Sequence, residues 1–358
     1  MRRTILDLTR GVPPVEAFPL DELACCAEAA LRRDSNALLQ YGRSPGYAPL
    51  RAWLAEQYGV RPAQVFTGNS SLEIFWFVIQ THLQPGARVF VESPSYDRAL
   101  TLLRRAGAQI VGIPMEDDGL NLQVLEDELE RGTPALLYVI ADFQNPTGIT
   151  TGLDKRKRLA ALAEEYGFWI VEDAPYRHLR YVGQEVPTIW SLAPSRVLHV
   201  SSFSKVLAPG LRLGYLVGPT QPVAALAAWA VDTYIGPVLP TQGLVYEYCL
   251  RGLLEPNIGR LRTVYHPRLL AALSGLDKHL AGATWATPEG GFFVGVTLPD
   301  GSDVAALRVR AERAGLRLSS GQDFFPTAAE GMRFLRIPFC SLTPEEIEEA
   351  LSRLACLL

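Results

Sequence analysis

The segment Ser202–Gly214, SFSKVLAPGLRLG, decides how this sequence of 358 residues is interpreted. It follows the apolar run Val197–Ser201, VLHVS, which has the length and the β-branched content of a buried strand. Lys205 therefore comes soon after a predicted strand and lies among small hydroxyl residues. An amine in this setting is suited to forming a Schiff base with an aldehyde. Most lysines near turns are simply solvated, so Lys205 alone does not establish a function.

Strand and helix patterns alternate on both sides of this segment, from about residue 65 to residue 220. Short apolar runs are separated by helical patterns such as Leu153–Tyr166, which is rich in Ala, Leu, Glu, Lys and Arg. This alternation predicts an α/β fold with a mostly parallel seven-stranded sheet that helices cover on both faces. Ligands bind such sheets at the carboxyl ends of the strands. The predicted strands are Val65–Gly68, Arg88–Glu92, Ile110–Pro114, Ala135–Ile140, Phe168–Glu172, Val197–Ser201 and Gly214–Val217.

The C-terminal third has a different pattern, in which a long helix precedes short strands and helices. Thr343 and Pro344 suit the N-cap and the first turn of the last helix. We predict a large domain over residues 41–253 and a smaller α+β domain from residues 1–40 and 254–358, with which the helix around Leu20–Arg32 packs. The predicted C-terminal elements are helices Leu254–Leu280, Val304–Ala314 and Pro344–Leu357 and strands Thr284–Ala286, Gly291–Thr297, Leu316–Ser319 and Met332–Ile337.

Composition argues against several classes of protein. The net charge is −4 with acids and bases mixed along the chain, so we expect no nucleic-acid partner and no membrane anchor. Five cysteines and five histidines show no metal-ligand spacing, so we expect no metal site. An odd number of cysteines fits a reducing cytosol, and the start MRRTILDLTRG has no apolar run of signal-peptide length. We therefore expect a cytoplasmic protein.

Polar residues follow other predicted strands in the way that chemistry with pyridoxal 5′-phosphate (PLP) requires. This cofactor needs an acid beside its pyridine nitrogen and hydrogen-bond donors to its 3-oxygen. Asp173 suits the first role, and Asn145 and Tyr176 suit the second. Each has an ordinary alternative as a cap or turn residue, but their joint occurrence at consecutive strand ends favours the cofactor.

Groups that could bind the phosphate of the cofactor follow two of the strands. Thr67–Ser71 precedes a predicted helix, and a helix N-terminus with glycine and hydroxyl neighbours favours an anion. A simple N-cap is the alternative. Tyr96 could stack on a flat cofactor or belong to the edge of the core. The candidate phosphate ligands are Asn69, Ser70, Ser202, Ser204 and Arg212.

With these motifs the sequence resembles the class I/II aminotransferases, which are PLP-dependent transferases of fold type I. The strongest motifs are Ser202–Gly214, Asn145–Gly148 (NPTG) and Glu172–Tyr176 (EDAPY). The resemblance extends along nearly the whole chain and is nearest to the branch with 2-aminoadipate and kynurenine aminotransferases. Supporting motifs are Tyr41…Gly46…Leu50-Arg51, Pro288–Phe293 (PEGGFF) and Leu335-Arg336-Ile337.

The resemblance implies a role for each cofactor-binding residue. Lys205 forms the Schiff base and moves the proton, Asp173 pairs with the pyridine nitrogen, and Tyr96 stacks on the ring. Tyr41 reaches the phosphate from the neighbouring subunit, which implies a homodimer with shared active sites. The implied catalytic residues are Lys205, Asp173 and Tyr176. The implied cofactor ligands are Lys205, Asn69, Ser70, Tyr96, Asn145, Asp173, Tyr176, Ser202, Ser204, Arg212 and Tyr41.

Some residues near the predicted substrate site differ from those usual in the family. The resemblance implies that Arg336 binds the substrate α-carboxylate as a bidentate pair, with Asn145 and Gly11 nearby. Arg10 stands where many relatives have a small residue, and it either binds a second substrate carboxylate or points to solvent. Asp142 stands where related chains often have proline, and the sequence offers no physical account of it.

These observations predict an aminotransferase that moves an amino group between an L-amino acid and a 2-oxo acid by a ping-pong mechanism. The resemblance implies 2-oxoglutarate as an acceptor. One alternative is a PLP-dependent β-lyase or cyclising eliminase, because the same core residues serve those reactions on this fold. Another is the ligand-sensing domain of a transcription regulator, which would need a helix-turn-helix ahead of it. The segment before Leu8 is too short for one.

Overall fold

The computed structural model describes residues 5–358, so the first four residues of the predicted small domain lie outside the described residues. No helix within residues 5–358 is long and apolar enough to cross a membrane. The strands are β1 (Leu6–Leu8), β2 (Val65–Gly68), β3 (Arg88–Ser93), β4 (Gln109–Glu116), β5 (Gly119–Leu120), β6 (Leu136–Val139), β7 (Trp169–Asp173), β8 (Val197–Ser202), β9 (Gly214–Val217), β10 (Thr284–Trp285), β11 (Phe293–Thr297), β12 (Leu316–Leu318) and β13 (Phe334–Pro338). The helices are α1 (Leu20–Leu38), α2 (Ala48–Tyr58), α3 (Ser71–His82), α4 (Asp97–Arg105), α5 (Leu122–Glu130), α6 (Leu153–Tyr166), α7 (Ile189–Leu192), α8 (Thr220–Tyr234), α9 (Leu239–Leu250), α10 (Leu254–His279), α11 (Val304–Arg313) and α12 (Pro344–Ala355).

The largest sheet has eight strands in the order β2-β9-β8-β7-β6-β3-β4-β5. The neighbours from β8 through β7, β6 and β3 to β4 pair in parallel, whereas β9 is antiparallel to both β2 and β8. The prediction of a mostly parallel sheet in an α/β fold is confirmed. The seven predicted strands are joined by β5, which pairs antiparallel with β4. Because β5 has only two residues, it has no periodicity that the sequence could reveal.

Helices cover both faces of this sheet, and that explains the continuous burial of its strands. Successive residues of β3 point to opposite faces, so Val89 and Val91 pack on the side of α3, α4 and α8. Phe90 packs on the side of α5, α6 and α7. A strand covered on both faces is apolar at nearly every position rather than at alternate ones. The carboxyl ends of β6, β7 and β8 therefore meet at one edge of a buried sheet.

The C-terminal part forms a separate antiparallel sheet, β10-β11-β13, against which α10, α11 and α12 contribute the apolar core. The last helix begins as predicted, because Thr343 and Glu346 form a reciprocal capping box. β1 and β12 form a second, two-stranded parallel sheet beside the same apolar core, with Leu8 opposite Leu318. This pairing brings the N-terminal segment to the carboxyl end of β12.

The N-terminal helix differs from the prediction that it packs with the small domain. α1 packs along α9, which precedes α10. Cys26 and Leu38 of α1 share a buried cluster with Val245 of α9. The approach is close because position 243 is glycine, where an added Cβ would lie 2.5 Å from the Leu38 side chain. A small residue on the surface of the partner helix thus determines where α1 packs, and helical periodicity carries no such information.

Candidate active site

Two adjoining cavities lie at the carboxyl ends of the parallel strands. The inner cavity, of about 160 Å³, is lined by Ser70, Ser71, Leu72, Tyr96, Ile140, Asn145, Asp173, Pro175, Tyr176, Ser202, Ser204, Lys205, Pro209 and Arg212. The outer cavity, of about 500 Å³, shares Leu72, Tyr96, Asn145, Tyr176 and Lys205 with the inner one. It extends to the N-terminal segment and to Arg336 of β13. The shared residues connect the sheet edge with the small domain.

Lys205 lies in the turn that follows β8, with its amine between the two cavities. Its Nζ donates a hydrogen bond to the Gly11 carbonyl oxygen at 3.0 Å. It also lies 5.7 Å from the ring centre of Tyr176 and 5.4 Å from that of Phe292. Burial lowers the pKa of the Lys205 amine to about 8. About a tenth of the amine is therefore neutral and nucleophilic near pH 7, a far larger fraction than for a lysine with an ordinary pKa.

Asp173 ends β7 and presents one free carboxylate oxygen to the inner cavity. Its Oδ2 accepts a hydrogen bond from the Tyr138 hydroxyl at 2.7 Å. Its Oδ1 is buried and has no hydrogen-bond partner within the described part of the chain. Burial raises the pKa of this carboxyl to about 6, whereas the hydrogen bond from Tyr138 lowers it. A buried oxygen without a donor implies that a ligand supplies one, and a protonated pyridine nitrogen would do so.

Asn145 and Arg336 are bound to each other where the cavities join. Arg336 Nη1 donates to Asn145 Oδ1 at 3.0 Å, and Nη2 donates to the Thr9 carbonyl at 2.7 Å. Arg336 Nε is buried and lacks an acceptor among residues 5–358. The guanidinium is stacked between the rings of Phe293 and Phe324, at 4.7 and 4.5 Å. The guanidinium is thus a buried cation of fixed orientation, to which a carboxylate can bind.

The loop that carries Asn145 is held by a buried carboxyl group that the sequence analysis missed. Gln144 Nε2 donates to Glu92 Oε2 at 2.9 Å, and Gln144 Oε1 accepts from the Thr147 amide at 2.9 Å. Burial raises the pKa of Glu92 to about 8. Glu92 lies near the carboxyl end of β3, at the same edge as the other site residues. Its position at the end of a predicted apolar strand is the signal that could have indicated it.

Hydroxyl groups from the start of α3 and from the segment that follows β8 line the rest of the inner cavity. Ser70 and Ser71 lie at the N-terminus of α3, where free backbone amides favour an anion. Ser202, Ser204 and Arg212 line the same cavity after β8. Ser71 ends the Thr67–Ser71 segment in which the sequence predicts an anion site, but it is not among the predicted phosphate ligands.

Asn69, which the sequence predicts to bind the phosphate, is not among the residues that line this cavity, and that role stays a prediction. Its Nδ2 donates to Glu73 Oε1 at 3.3 Å, and its Oδ1 accepts from the Val238 amide at 2.9 Å. Both ends of the amide are thus engaged at the outside of the helix start. Tyr41 is also absent from the cavities of its own chain and is 81% exposed. It lies beside residues 234–240 in a separate surface cavity.

Asp142 has a physical explanation in the structure. It is 2% exposed and accepts hydrogen bonds from Arg156 Nη2 at 2.8 Å and Arg177 Nη1 at 3.1 Å. Burial alone would raise the pKa of Asp142, but the two guanidinium groups lower it below its usual value. Arg156 also binds the carbonyl oxygens of Ala141 and Thr151, at 2.8 Å each. Asp142 and Arg156 therefore fix both ends of the loop that carries Asn145.

The residues present fit PLP. A buried amine, an unpartnered carboxylate oxygen, a helix N-terminus with hydroxyl groups and Arg212 line one cavity in the described part of the chain. These groups match the aldehyde, the pyridine nitrogen and the phosphate of the cofactor. The comparisons with known proteins are consistent with this fit.

Residues 3–354 match the family described as aminotransferase class I and II. The 2-aminoadipate transaminase of Thermus thermophilus is 35% identical over 358 residues, which is 99% of this chain and 90% of that protein. Aromatic-amino-acid aminotransferase 1 of Thermococcus litoralis is 33% identical over 98% of this chain and 87% of its own.

One similar solved structure contains a phosphopyridoxyl derivative of an amino acid. The crystal structure of LysN, α-aminoadipate aminotransferase from Thermus thermophilus, complexed with N-(5′-phosphopyridoxyl)-L-leucine, matches with a TM-score of 0.94. It is 35% identical and covers 99% of this chain and 92% of that chain. These matches support transamination rather than the eliminating reactions. This chain therefore belongs to the class I and II aminotransferases, and its cofactor is pyridoxal 5′-phosphate.

Proposed function

We propose that the inner cavity holds PLP on Lys205 and Asp173, and that the outer cavity holds the amino acid or 2-oxo acid by its α-carboxylate on Arg336. The observation that carries this proposal is the pairing of two buried groups at neighbouring strand ends. These are the Lys205 amine and the free Oδ1 of Asp173. No described residue uses the second group, and a bound cofactor would use both.

When bound, PLP supplies an aldehyde and an electron-withdrawing ring that makes an α-proton of the substrate acidic. Lys205 Nζ would act as the base that removes that proton and as the acid that returns it. Asp173 would keep the pyridine nitrogen protonated. Asn145 and Tyr176 would donate to the 3-oxygen. Ser70, Ser71, Ser202, Ser204 and Arg212 would bind the phosphate, and Tyr96 would stack on the ring.

The substrates follow from the family and from named relatives. We propose an L-amino acid as donor, with the 2-aminoadipate and aromatic classes as the first to examine, and 2-oxoglutarate as an acceptor. Donor and acceptor would use the same cavity in turn, which is a ping-pong mechanism. Gly11 contributes its carbonyl to Lys205, and an added Cβ there would lie 2.4 Å from the Phe293 ring. Only glycine lets the N-terminal segment approach so closely.

We also propose a homodimer with shared sites. Tyr41 and its neighbour Leu39 are mostly exposed, as is Val238, which lines the same surface cavity. A cluster of exposed apolar side chains on one surface favours burial against a second copy. We retain the division into a large domain over residues 41–253 and a small domain, with α1 placed beside α9. A cytoplasmic location remains our proposal on the basis of the unpaired cysteines.

The test is an absorption spectrum of the protein reconstituted with PLP, recorded before and after adding single amino acids without an acceptor. Transamination predicts loss of the visible band and release of one equivalent of 2-oxo acid. Addition of 2-oxoglutarate should then restore the band. Pyruvate and ammonia formed repeatedly without any acceptor would instead indicate elimination.

The variant Lys205→Ala should lose the visible band and turnover, because no other lysine of residues 5–358 lines the inner cavity. Lys157→Ala is the matched control, since Lys157 lies on the exposed side of α6 with 58% of its side chain accessible. If Lys205→Ala kept the wild-type rate, the assignment of Lys205 would be wrong.

A further inference from the structure

Glu92 is a buried carboxyl group that takes no part in the proposed chemistry. It lies in β3, one residue before the strand ends, and 0% of it is exposed. Its Oε2 accepts hydrogen bonds from the Ile140 amide at 3.1 Å and from Gln144 Nε2 at 2.9 Å. Its Oε1 is buried without a hydrogen-bond partner among residues 5–358. The hydrogen bonds that Glu92 accepts are therefore from neutral donors.

The other buried carboxyl groups in the described part of the chain have a different environment. Three of them contact a basic side chain, and the fourth, Asp173, faces the position proposed for the pyridine nitrogen. The basic partners are Arg156 for Asp142, His199 for Glu172, and Arg33 with Arg251 for Glu247. Glu92 is thus a buried acid for which neither a basic side chain nor the cofactor supplies compensation.

An ionised Glu92 would be unfavourable at this place. A carboxylate that loses its hydration on burial needs a cation or several strong donors to compensate. Burial raises the pKa of Glu92 to about 8, the hydrogen bonds from Gln144 and Ile140 lower it, and the nearby charge of Asp173 raises it again. At neutral pH most of Glu92 is therefore protonated.

The hydrogen bonds of Gln144 show which oxygen of Glu92 carries the proton. The Thr147 amide can only donate, so Gln144 Oε1 must face it, at 2.9 Å. Gln144 Nε2 then points the other way and donates to Glu92 Oε2 and to the Pro94 carbonyl, at 2.9 and 2.8 Å. The Ile140 amide can likewise only donate to Glu92 Oε2. Because Oε2 accepts both hydrogen bonds, the proton lies on Oε1.

The same contacts lead from Glu92 to the substrate site. Gln144 Oε1 also accepts from the Thr147 hydroxyl at 2.8 Å, so the side chain of Gln144 crosses the turn that carries Asn145. Asn145 Oδ1 in turn accepts from Arg336 Nη1 at 3.0 Å. A change at Glu92 would therefore reach Arg336 through two neighbouring residues of one turn.

We propose that Glu92 carries a proton on Oε1 in the active enzyme and, as a neutral acid, is a positioning residue for Asn145 and Arg336. The proposal deepens the proposed function and rests on it, because Arg336 is taken to bind the α-carboxylate. Glu92 Oε2 holds the amide of Gln144 in place without adding a second negative charge beside Asp173. Asp173 then remains the carboxylate that pairs with the pyridine nitrogen.

The first test is an infrared difference spectrum of the holoenzyme at neutral pH, wild type against Glu92→Gln. Glutamine keeps an acceptor for Ile140 and Gln144 and replaces the protonated oxygen by an amide group. The variant should lose the carbonyl stretch of a protonated carboxyl group, a band that moves to lower frequency in heavy water. Glu165→Gln is the matched control, because Glu165 has 58% of its side chain exposed and should lose carboxylate bands instead. Loss of carboxylate bands in Glu92→Gln would overturn the proposal.

A second test separates positioning from charge in the half-reaction. The donor is whichever of L-2-aminoadipate, L-glutamate and L-phenylalanine discharges the visible band fastest. Glu92→Leu removes the acceptor, and it should raise the apparent Kd of this donor by about 2- to 10-fold, the range for a lost neutral hydrogen bond. The rate constant at saturation should change less than the Kd. Glu92→Gln should recover the Kd that Glu92→Leu loses.

The double variant Glu92→Leu with Gln144→Leu should be no worse than the more damaging single variant, because both remove the same contact. Additive effects would show that Glu92 does not act through Gln144, and a Glu92→Gln enzyme as impaired as Glu92→Leu would show that the charge is required. Either result overturns the proposal. If Glu92→Leu does not fold, the infrared spectrum and the donor Kd of Glu92→Gln still decide it. Failure of the proposed function looks different, because wild type itself would then keep its visible band with every donor.

Discussion

Arg336 is oriented by the protein before a substrate binds. Asn145 and the Thr9 carbonyl occupy its two terminal nitrogens, Nη1 and Nη2, while Nε is buried without an acceptor in the described region. Phe293 and Phe324 fix the plane of the guanidinium between their rings. Little conformational entropy remains to be lost when a carboxylate arrives, and this preorganisation favours binding.

We therefore expect Arg336→Ala to weaken binding of every substrate through its α-carboxylate. Loss of a charged hydrogen bond costs about 1.5–3 kcal/mol, which corresponds to a rise in KM of about 10- to 100-fold. The measurement is a steady-state comparison of wild type, Arg336→Lys and Arg336→Ala with one donor. Arg336→Lys should recover part of the loss, since it keeps the charge but not the planar fork. A wild-type KM in Arg336→Ala would show that the carboxylate binds elsewhere.

Tyr138, in β6, affects the pKa of Asp173. Its hydroxyl donates to Asp173 Oδ2 and lowers the pKa of a carboxyl that burial has raised to about 6. Asp173 must be ionised to hold a protonated pyridine nitrogen, and its ionised fraction falls as the pH drops through this pKa. Tyr138→Phe removes the donor, so the pKa of Asp173 should rise further. Activity should then be lost at higher pH than in wild type.

The measurement is kcat at pH 6 divided by kcat at pH 8. This quotient should be several-fold smaller in Tyr138→Phe than in wild type. Tyr166→Phe serves as the control, because Tyr166 lies at the end of α6 and away from both cavities. An identical pH profile in the two variants would mean that Tyr138 only fills space.

The strand-end argument from sequence led to Lys205, Asp173, Asn145 and Tyr176, which the structure brings to one cavity. It succeeded because these residues follow the strands directly, and the carboxyl ends of parallel strands meet at one edge. It could not find Tyr138, whose role comes from a contact between neighbouring strands. The role predicted for Asn69 stays a prediction, and local sequence does not reveal that the Val238 amide donates to its side-chain oxygen.

At the scale of elements, periodicity located most helices and strands to within a few residues. The bounds of α6, Leu153–Tyr166, are those predicted, since its start and its Gly167 C-cap are both local signals. The sequence did not predict which helices and strands pack against each other. The position of α1 beside α9 depends on the glycine at position 243, and the two-residue β5 exists only as a pair with β4.

The loop that carries Asn145 depends on the buried pair of Asp142 and Arg156. Arg156 is fully buried, and Asp142 is the carboxylate that neutralises it. Asp142→Ala should lower the free energy of unfolding by about 3–5 kcal/mol, because it leaves a buried charge without its partner. Urea unfolding of the apoprotein measures this change. Asp154→Ala, which removes an almost fully exposed carboxylate from the same region, should unfold like wild type. Equal stability of the two variants would contradict the argument.

At the scale of the whole molecule, the proposed homodimer would let a second chain contribute to the inner cavity. Ser70, Ser71 and Arg212 line that cavity, whereas Tyr41 of the same chain is exposed beside Leu39 and Val238 on a separate surface. A two-fold dimer would bury that surface and carry Tyr41 of each subunit to the cavity of the other. The proposal thus links oligomeric state to catalysis, and the link can be tested with two inactive variants.

Lys205→Ala lacks the reactive amine, and Tyr41→Ala lacks the phosphate contact that the partner would supply, so each protein alone should be inactive or strongly impaired. A mixed dimer would have one site with both native residues, Lys205 from one subunit and Tyr41 from the other. Unfolding and refolding an equal mixture should therefore restore roughly a quarter of wild-type activity, since about half of the dimers are mixed and each has one intact site. Refolding each variant separately is the control. If the mixture were no more active than the separate variants, Tyr41 would act within its own chain or not at all, and the shared active site would have to be abandoned.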